Sequence, residues 1–183
     1  MRIQVKALGV CSLLAFYSVS LAMGMISGQT AANQAAGAPA ILNRDQASAI
    51  LPPSVFFRGQ SATIQARNSA GIRLEGGKLV LFALVDSSGY SSALQQTYQA
   101  YLITEVQLQL SGHTLPPGAY GFGFVAGKIV VMDIGGNEIL QATTTRDTTI
   151  TRPTPLQILP FNGTDRLYLG RDYVTLAFPK EIN

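Results

Sequence analysis

The chain has 183 residues, 13 Lys+Arg against 10 Asp+Glu, one histidine and one cysteine, which is enough length for one domain with a sizeable core. Setting aside Arg2 and Lys6 at the N-terminus leaves 11 basic residues against 10 acidic, so there is no electrostatic case for a nucleic-acid partner. The lone Cys11 lies in the apolar N-terminal run, and the rest of the chain is therefore excluded from disulfides, thiol catalysis and cysteine-ligated metal sites.

The N-terminus reads as a secretory signal. "MRIQVK" supplies Arg2 and Lys6 without an acid, "ALGVCSLLAFYSVSLA" is apolar, and Ser20, Ala22 and Gly24 give small-x-small cleavage patterns. The competing reading is an uncleaved anchor, because Ala7 to Ile26 is 20 residues long, just enough to span a bilayer. Residues 1–22 are assigned to the signal, and the working protein is expected to be secreted or periplasmic. Its only membrane contact would then be through an uncleaved segment. Residues 23–50 read as a flexible linker, small and polar in "MISGQTAANQAAGAP". Within it, Asn43 followed by Gln46 forms a capping box for a short helix that Pro52 and Pro53 terminate.

From Val55 onward the signals are those of strands. "SVFFR", "SATIQAR" and "GIRLE" are short β-type runs separated by Gly59 and "NSAG". "KLVLFALVD" is apolar on both faces, as a central strand would be. "SSALQQTYQ" is the one helical candidate inside the domain. "YQAYLITEVQLQL" alternates in its second half, with Val106, Leu108 and Leu110 on one side. "AYGFGFV" and "KIVVMDI" flank Ala126-Gly127, and "PLQILPF" and "DRLYLG" flank Asn162-Gly163, both hairpin signals. "EILQATTT" and "DYVTLAF" complete the set. The expected fold class is all-β: a single antiparallel β-barrel or β-sandwich of about eight to ten short strands over residues 51–178, with a short helix before or within it and a tail at 179–183.

Intact catalytic motifs are missing from the sequence. His113 lies in a turn-rich link, and a histidine base needs a nucleophile and an orienting acid. "ALVDSSGYSS" resembles an aspartic-protease turn, but Ser88 interrupts it, and "VMDIGG" offers Asp133 with Ile134 where a hydroxyl residue belongs. The G-x-S-x-G elbow, the S-x-x-K pair, the phosphate loop and the dinucleotide fingerprint are all absent. No catalytic residue, metal ligand or cofactor is assigned.

Two features remain as candidate ligand- or partner-binding residues. One is the strand with Tyr120, Phe122 and Phe124 on one face and Gly121 and Gly123 on the other. Its bare face either lets a neighbour lie across the strand or floors a groove. The other is Arg166 and Arg171 in an arginine-rich last third, suited to a carboxylate or phosphate but bordered by Asp165 and Asp172.

"LPPSVFFRGQ", "LVDSSGYSS", "YQAYLITEV" and "LPPGAYGFGFV" followed by "VMD" together resemble a pattern of small secreted β proteins of soil bacteria whose function is unknown. The resemblance covers Leu51 to about Phe178. It implies secretion and one β domain, and no site residue comes with it. The expected function is that of an exported, non-catalytic β-domain that binds a small ligand or an envelope protein, or serves a structural role. The alternatives are a secreted hydrolase using Asp86 with Asp133 or a serine of the Ser87–Ser92 turn, and a surface-assembly subunit pairing through a strand edge.

Overall fold

The computed structural model of the chain describes residues 39–179. The signal expected at 1–22, the linker up to residue 38 and the last residues of the tail lie outside them. No helix among the described residues is long and apolar enough to cross a membrane.

The described chain folds into two antiparallel sheets that do not close into a barrel, a sandwich-like arrangement. The first elements are β1 (Ala40–Leu42), helix α1 (Arg44–Ile50), β2 (Ser54–Phe57), β3 (Gln60–Arg73), β4 (Leu79–Val85), helix α2 (Ser92–Thr97) and β5 (Ala100–Thr104). They are followed by β6 (Leu108–Leu110), β7 (His113–Leu115), β8 (Gly118–Val125), β9 (Lys128–Met132) and β10 (Glu138–Thr143). The last are β11 (Thr145–Arg146), β12 (Leu156–Phe161), β13 (Thr164–Leu169) and β14 (Asp172–Ala177). The larger sheet has the order β1-β3-β4-β5-β8-β9-β10, with β2 paired to β3. The smaller has the order β12-β13-β14-β6-β7, with β11 paired to β14.

The fourteen strands among the described residues exceed the expected number because pieces of two or three residues, such as β1, β7 and β11, carry no legible alternation. The capping box is present: Asn43 Oδ1 accepts from Gln46 N–H at 2.9 Å and Gln46 Oε1 accepts from Asn43 N–H at 3.0 Å. The ordered fold begins ahead of Leu51, however. β1 pairs with β3, and Ala47 of α1 is fully buried, so residues 40–50 belong to the domain. The small side chain of Ala47 is what lets the helix lie close against β3.

Two further readings are corrected by the pairing. "NSAG" does not break a strand: β3 runs through it, with Gln65–Asn68 looped out opposite Leu84 between the pairs Ile64↔Val85 and Ser69↔Ala83. "YQAYLITEVQLQL" is not one strand either. The chain leaves the larger sheet after Thr104 and enters the smaller one at Leu108, the switch held by Thr104 Oγ1 donating to the Val106 carbonyl at 2.7 Å and the Glu105 carboxylate accepting from Leu79 N–H at 2.8 Å.

One core lies between the sheets, where Val80, Phe82, Leu102, Phe122 and Val131 face Leu108, Leu110, Leu167, Val174 and Leu176. A second core covers the opposite face of the larger sheet. There Leu81, Ala83, Tyr101, Val130 and Met132 meet Leu42 and Ala47 of the N-terminal elements, Phe57 of β2, and Tyr90 and Tyr98 around α2. Coverage on both faces is why β4 is apolar throughout.

Candidate functional site

Strand β8 runs through the middle of this two-sided burial. Tyr120 and Phe122 are buried in the inter-sheet core, and Phe124 packs against it half-buried. Phe122 meets Phe82 edge-on at 6.1 Å, and the Tyr120 hydroxyl donates to the Pro116 carbonyl at 2.9 Å. Gly121 and Gly123 face the second core. A Cβ on Gly121 would lie 2.6 Å from the Phe57 ring and 2.8 Å from the Tyr98 ring, and one on Gly123 would run into the Thr97 carbonyl. The bare face is therefore filled by the protein itself. Phe57 and Tyr98 stack at 3.9 Å and 15°, and Tyr90 closes the group edge-on to Tyr98 at 5.2 Å. Burial, then the neighbouring Tyr90 and Tyr101, pushes the Tyr98 hydroxyl well above the usual phenol range.

Arg166 and Arg171 are engaged by the fold as well. Arg166 leaves the outward face of β13, and its guanidinium lies over the Phe161 ring at 3.2 Å and the Tyr173 ring at 4.1 Å, with Asp147 at 3.8 Å. Arg171 donates to the Ile150 carbonyl and holds the β11–β12 loop. Asp147 accepts from the Thr149 hydroxyl at 2.6 Å, from Thr149 N–H at 2.8 Å and from the Tyr168 hydroxyl at 2.9 Å. These bonds, with Arg166 nearby, hold its carboxyl down to about 2. Aromatic rings thus cover the faces of the Arg166 guanidinium and Asp147 stands at its edge, while its buried Nε–H has no partner among the described residues.

Asp86 and Asp133 each serve their own turn. Asp86 accepts from Ser88 N–H at 3.0 Å, and Asp133 accepts from Asn137 N–H and from its side-chain amide, both at 2.9 Å. Those bonds lower both carboxyl pKa values, the opposite of what a general acid requires.

Elsewhere, along the seam where the edge strands β1 and β12 border an open groove of about 700 Å³, further polar groups lie at the surface. Its lining takes in Ile41 and the edges of the nearly buried Leu42, Leu156 and Ile158, with Arg44, Arg67 and Asn68 as a polar rim. The Gln65–Asn68 excursion of β3 builds that rim. Gln65 Nε2 donates to the Val85 carbonyl at 3.0 Å, and Asn68 Nδ2 to Gln65 Oε1 at 2.9 Å. Ser69 Oγ donates to the carbonyls of Ala66 at 2.8 Å and Arg44 at 3.2 Å, which ties the excursion to the start of α1. Arg44 pairs with Asp45 at 3.0 Å, whereas Arg67 forms no ion pair among the described residues. The sequence offers no periodic signal for this excursion: "SATIQAR" reads as a strand and "NSAG" as the break after it.

Compared with known proteins, the chain matches no protein-family model, no curated protein and no solved structure.

Proposed function

We propose that this chain is an exported, non-catalytic β-sandwich module that binds a ligand or partner in the groove between β1 and β12. The observation that carries the reading is the free guanidinium of Arg67, set by an ordered excursion beside an apolar floor. Small-molecule sites combine an apolar cleft of roughly 300–1,000 Å³ with a few placed polar groups, and the groove has that composition. The local bonding of Asp86 and Asp133 supports the non-catalytic part. Export rests on the charged start, apolar run and small residues of Met1 to Gly24.

The test is a chemical-shift titration of the ¹⁵N-labelled protein with glutarate and succinate. Shifts confined to β1, Gln65–Asn68 and Thr154–Ile158, and lost in Arg67→Ala, are expected. Shifts elsewhere, or none at millimolar concentration, would remove the groove as the site. N-terminal sequencing of the protein from its natural host should start between Met23 and about Asn33. Intact Met1 in the membrane fraction would instead establish an anchor.

A further inference from the structure

The groove is bordered by backbone as well as side chains, and the register of β12 shows what that backbone offers. Antiparallel pairs alternate between those that exchange main-chain hydrogen bonds and those that do not. Gly170 N–H donates to the Pro155 carbonyl at 3.1 Å, and the β12–β13 register then stays constant from Leu156↔Leu169 to Phe161↔Thr164. The bonded positions on β12 are therefore Gln157, Leu159 and Phe161. Leu156, Ile158 and Pro160 turn their backbone groups to the free side, where no strand among the described residues pairs with β12.

Pro160 brings no N–H to that side, so the far half of the edge is blunted in the way natural sheets protect themselves. Leu156 and Ile158 keep their N–H groups, and they are the two of the three that border the groove. The edge is thus closed away from the groove, and along it the Leu156 carbonyl accepts from the Thr154 hydroxyl at 3.4 Å while the Leu156 and Ile158 N–H groups face the free side. Their side chains are buried in the inter-sheet core, which fixes the strand that presents these groups. Across the groove, Arg67 is the cation without a carboxylate, Arg44 being held by Asp45.

We propose that the Leu156–Ile158 edge of β12 takes up an extended acidic segment of a partner protein as an added strand, with a carboxylate of that segment on Arg67. Main-chain bonds to the edge supply affinity, and the charge at Arg67 sets register and selects acidic partners. This rests on the groove being the binding site, and it goes further by naming an extended peptide as the occupant.

The probes are capped hexapeptides of alternating Thr and Val, with a single Glu moved through all six positions. Each is titrated into the ¹⁵N-labelled protein. At least one register is expected to shift the amides of Leu156 and Ile158. Its affinity should fall at least fivefold on Glu→Gln in the peptide or Arg67→Ala in the protein, and at least tenfold when alternate peptide amides are N-methylated. Arg67 is exposed, so an unchanged melting temperature of Arg67→Ala confirms that folding is not the cause.

Equal binding of the N-methylated peptide would overturn strand addition. So would groove shifts with glutarate but with no peptide, an outcome that leaves the groove itself standing. Silence from both probes would overturn the two readings together. Sedimentation showing a dimer that Arg67→Ala dissociates would assign the edge to a second copy of this chain and overturn the partner segment.

Discussion

The two sheets cover their outward faces by different chemistry. The larger sheet puts aromatic rings on bare backbone: Phe57 and Tyr98 stack over Gly121, and Thr97 presses on Gly123. The smaller sheet covers its outward face with a polar group held between rings, Arg166 between Phe161 and Tyr173 with Asp147 and Tyr168 at its side. The first arrangement depends on shape, carries no charged group below the phenol range, and is indifferent to salt and to acid. The second depends on charge and responds to both. Each also engages groups that look chemically attractive in sequence.

Gly123→Ala breaks the first arrangement most sharply. The added methyl meets the main chain at Thr97 rather than a movable side-chain end, so the expected loss is about 3 kcal/mol, the upper part of the overpacking range. Gly121→Ala should cost less, about 1–2 kcal/mol, because the added methyl meets side-chain ring atoms of Phe57 and Tyr98 rather than main chain. Urea unfolding of the two variants measures this order directly. Equal losses would mean that α2 moves as freely as the rings do.

Arg166→Ala breaks the second arrangement. It removes a guanidinium between two rings and leaves Asp147 and Tyr168 without it, at an expected cost of about 2 kcal/mol. Arg166→Lys should recover less than half, since an ammonium cannot stack flat between rings. Glutarate shifts at the groove should persist in both variants. Their loss would move the binding function back to the Arg166 face.

The sequence showed most of this sandwich and little of its seam. The alternation of Leu108 with Leu110, the two-sided apolar run of β4 and the Asn43–Gln46 capping box each rest on local periodicity or local bonding, and each stands in the structure. The sheet switch at Glu105–Gln107 and the looped-out Gln65–Asn68 depend on which strand lies opposite, information that is not local. Arg166 and Arg171 stood out because they are close in sequence, yet tertiary contacts with Phe161, Tyr173 and Ile150 engage them. Nothing beside Arg67 in the chain marks it. Its significance comes from the β1–β12 seam that it borders.

Acid sharpens the contrast between the sheets. The Asp147 carboxyl is held down to about 2 from an ordinary 3.8 by Thr149 and Tyr168, with Arg166 adding to it. A carboxyl with a depressed folded-state pKa contributes stability that is fully present above the unfolded value and lost as pH falls through the folded one. Asp147→Asn should therefore destabilise the protein at pH 6, and its melting temperature should converge with that of the parent between about pH 4 and 2. A Gly123→Ala deficit should stay constant over the same range, because no titrating group touches it. Parallel pH profiles for the two variants would remove the distinction.

The smallest effect compares one turn across the two sheets. Ala126-Gly127 joins β8 to β9 with φ of 50° and 76°, and Asn162-Gly163 joins β12 to β13 with φ of 48° and 78°. Both two-residue hairpins thus hold two consecutive left-handed residues, the pattern of a type I′ turn, which favours Asn-Gly. Asn tolerates that conformation, whereas an alanine Cβ crowds the neighbouring carbonyl. Ala126 and Asn162 are both exposed, so the exchange changes little besides the backbone preference. Ala126→Asn should stabilise the protein by about 0.5–1 kcal/mol, and Asn162→Ala should destabilise it by a similar amount. The double exchange should then melt within about a degree of the parent. A gain at Ala126 without a matching loss at Asn162 would show that the larger sheet, with both faces packed, holds its turn more tightly than the smaller sheet holds the same backbone.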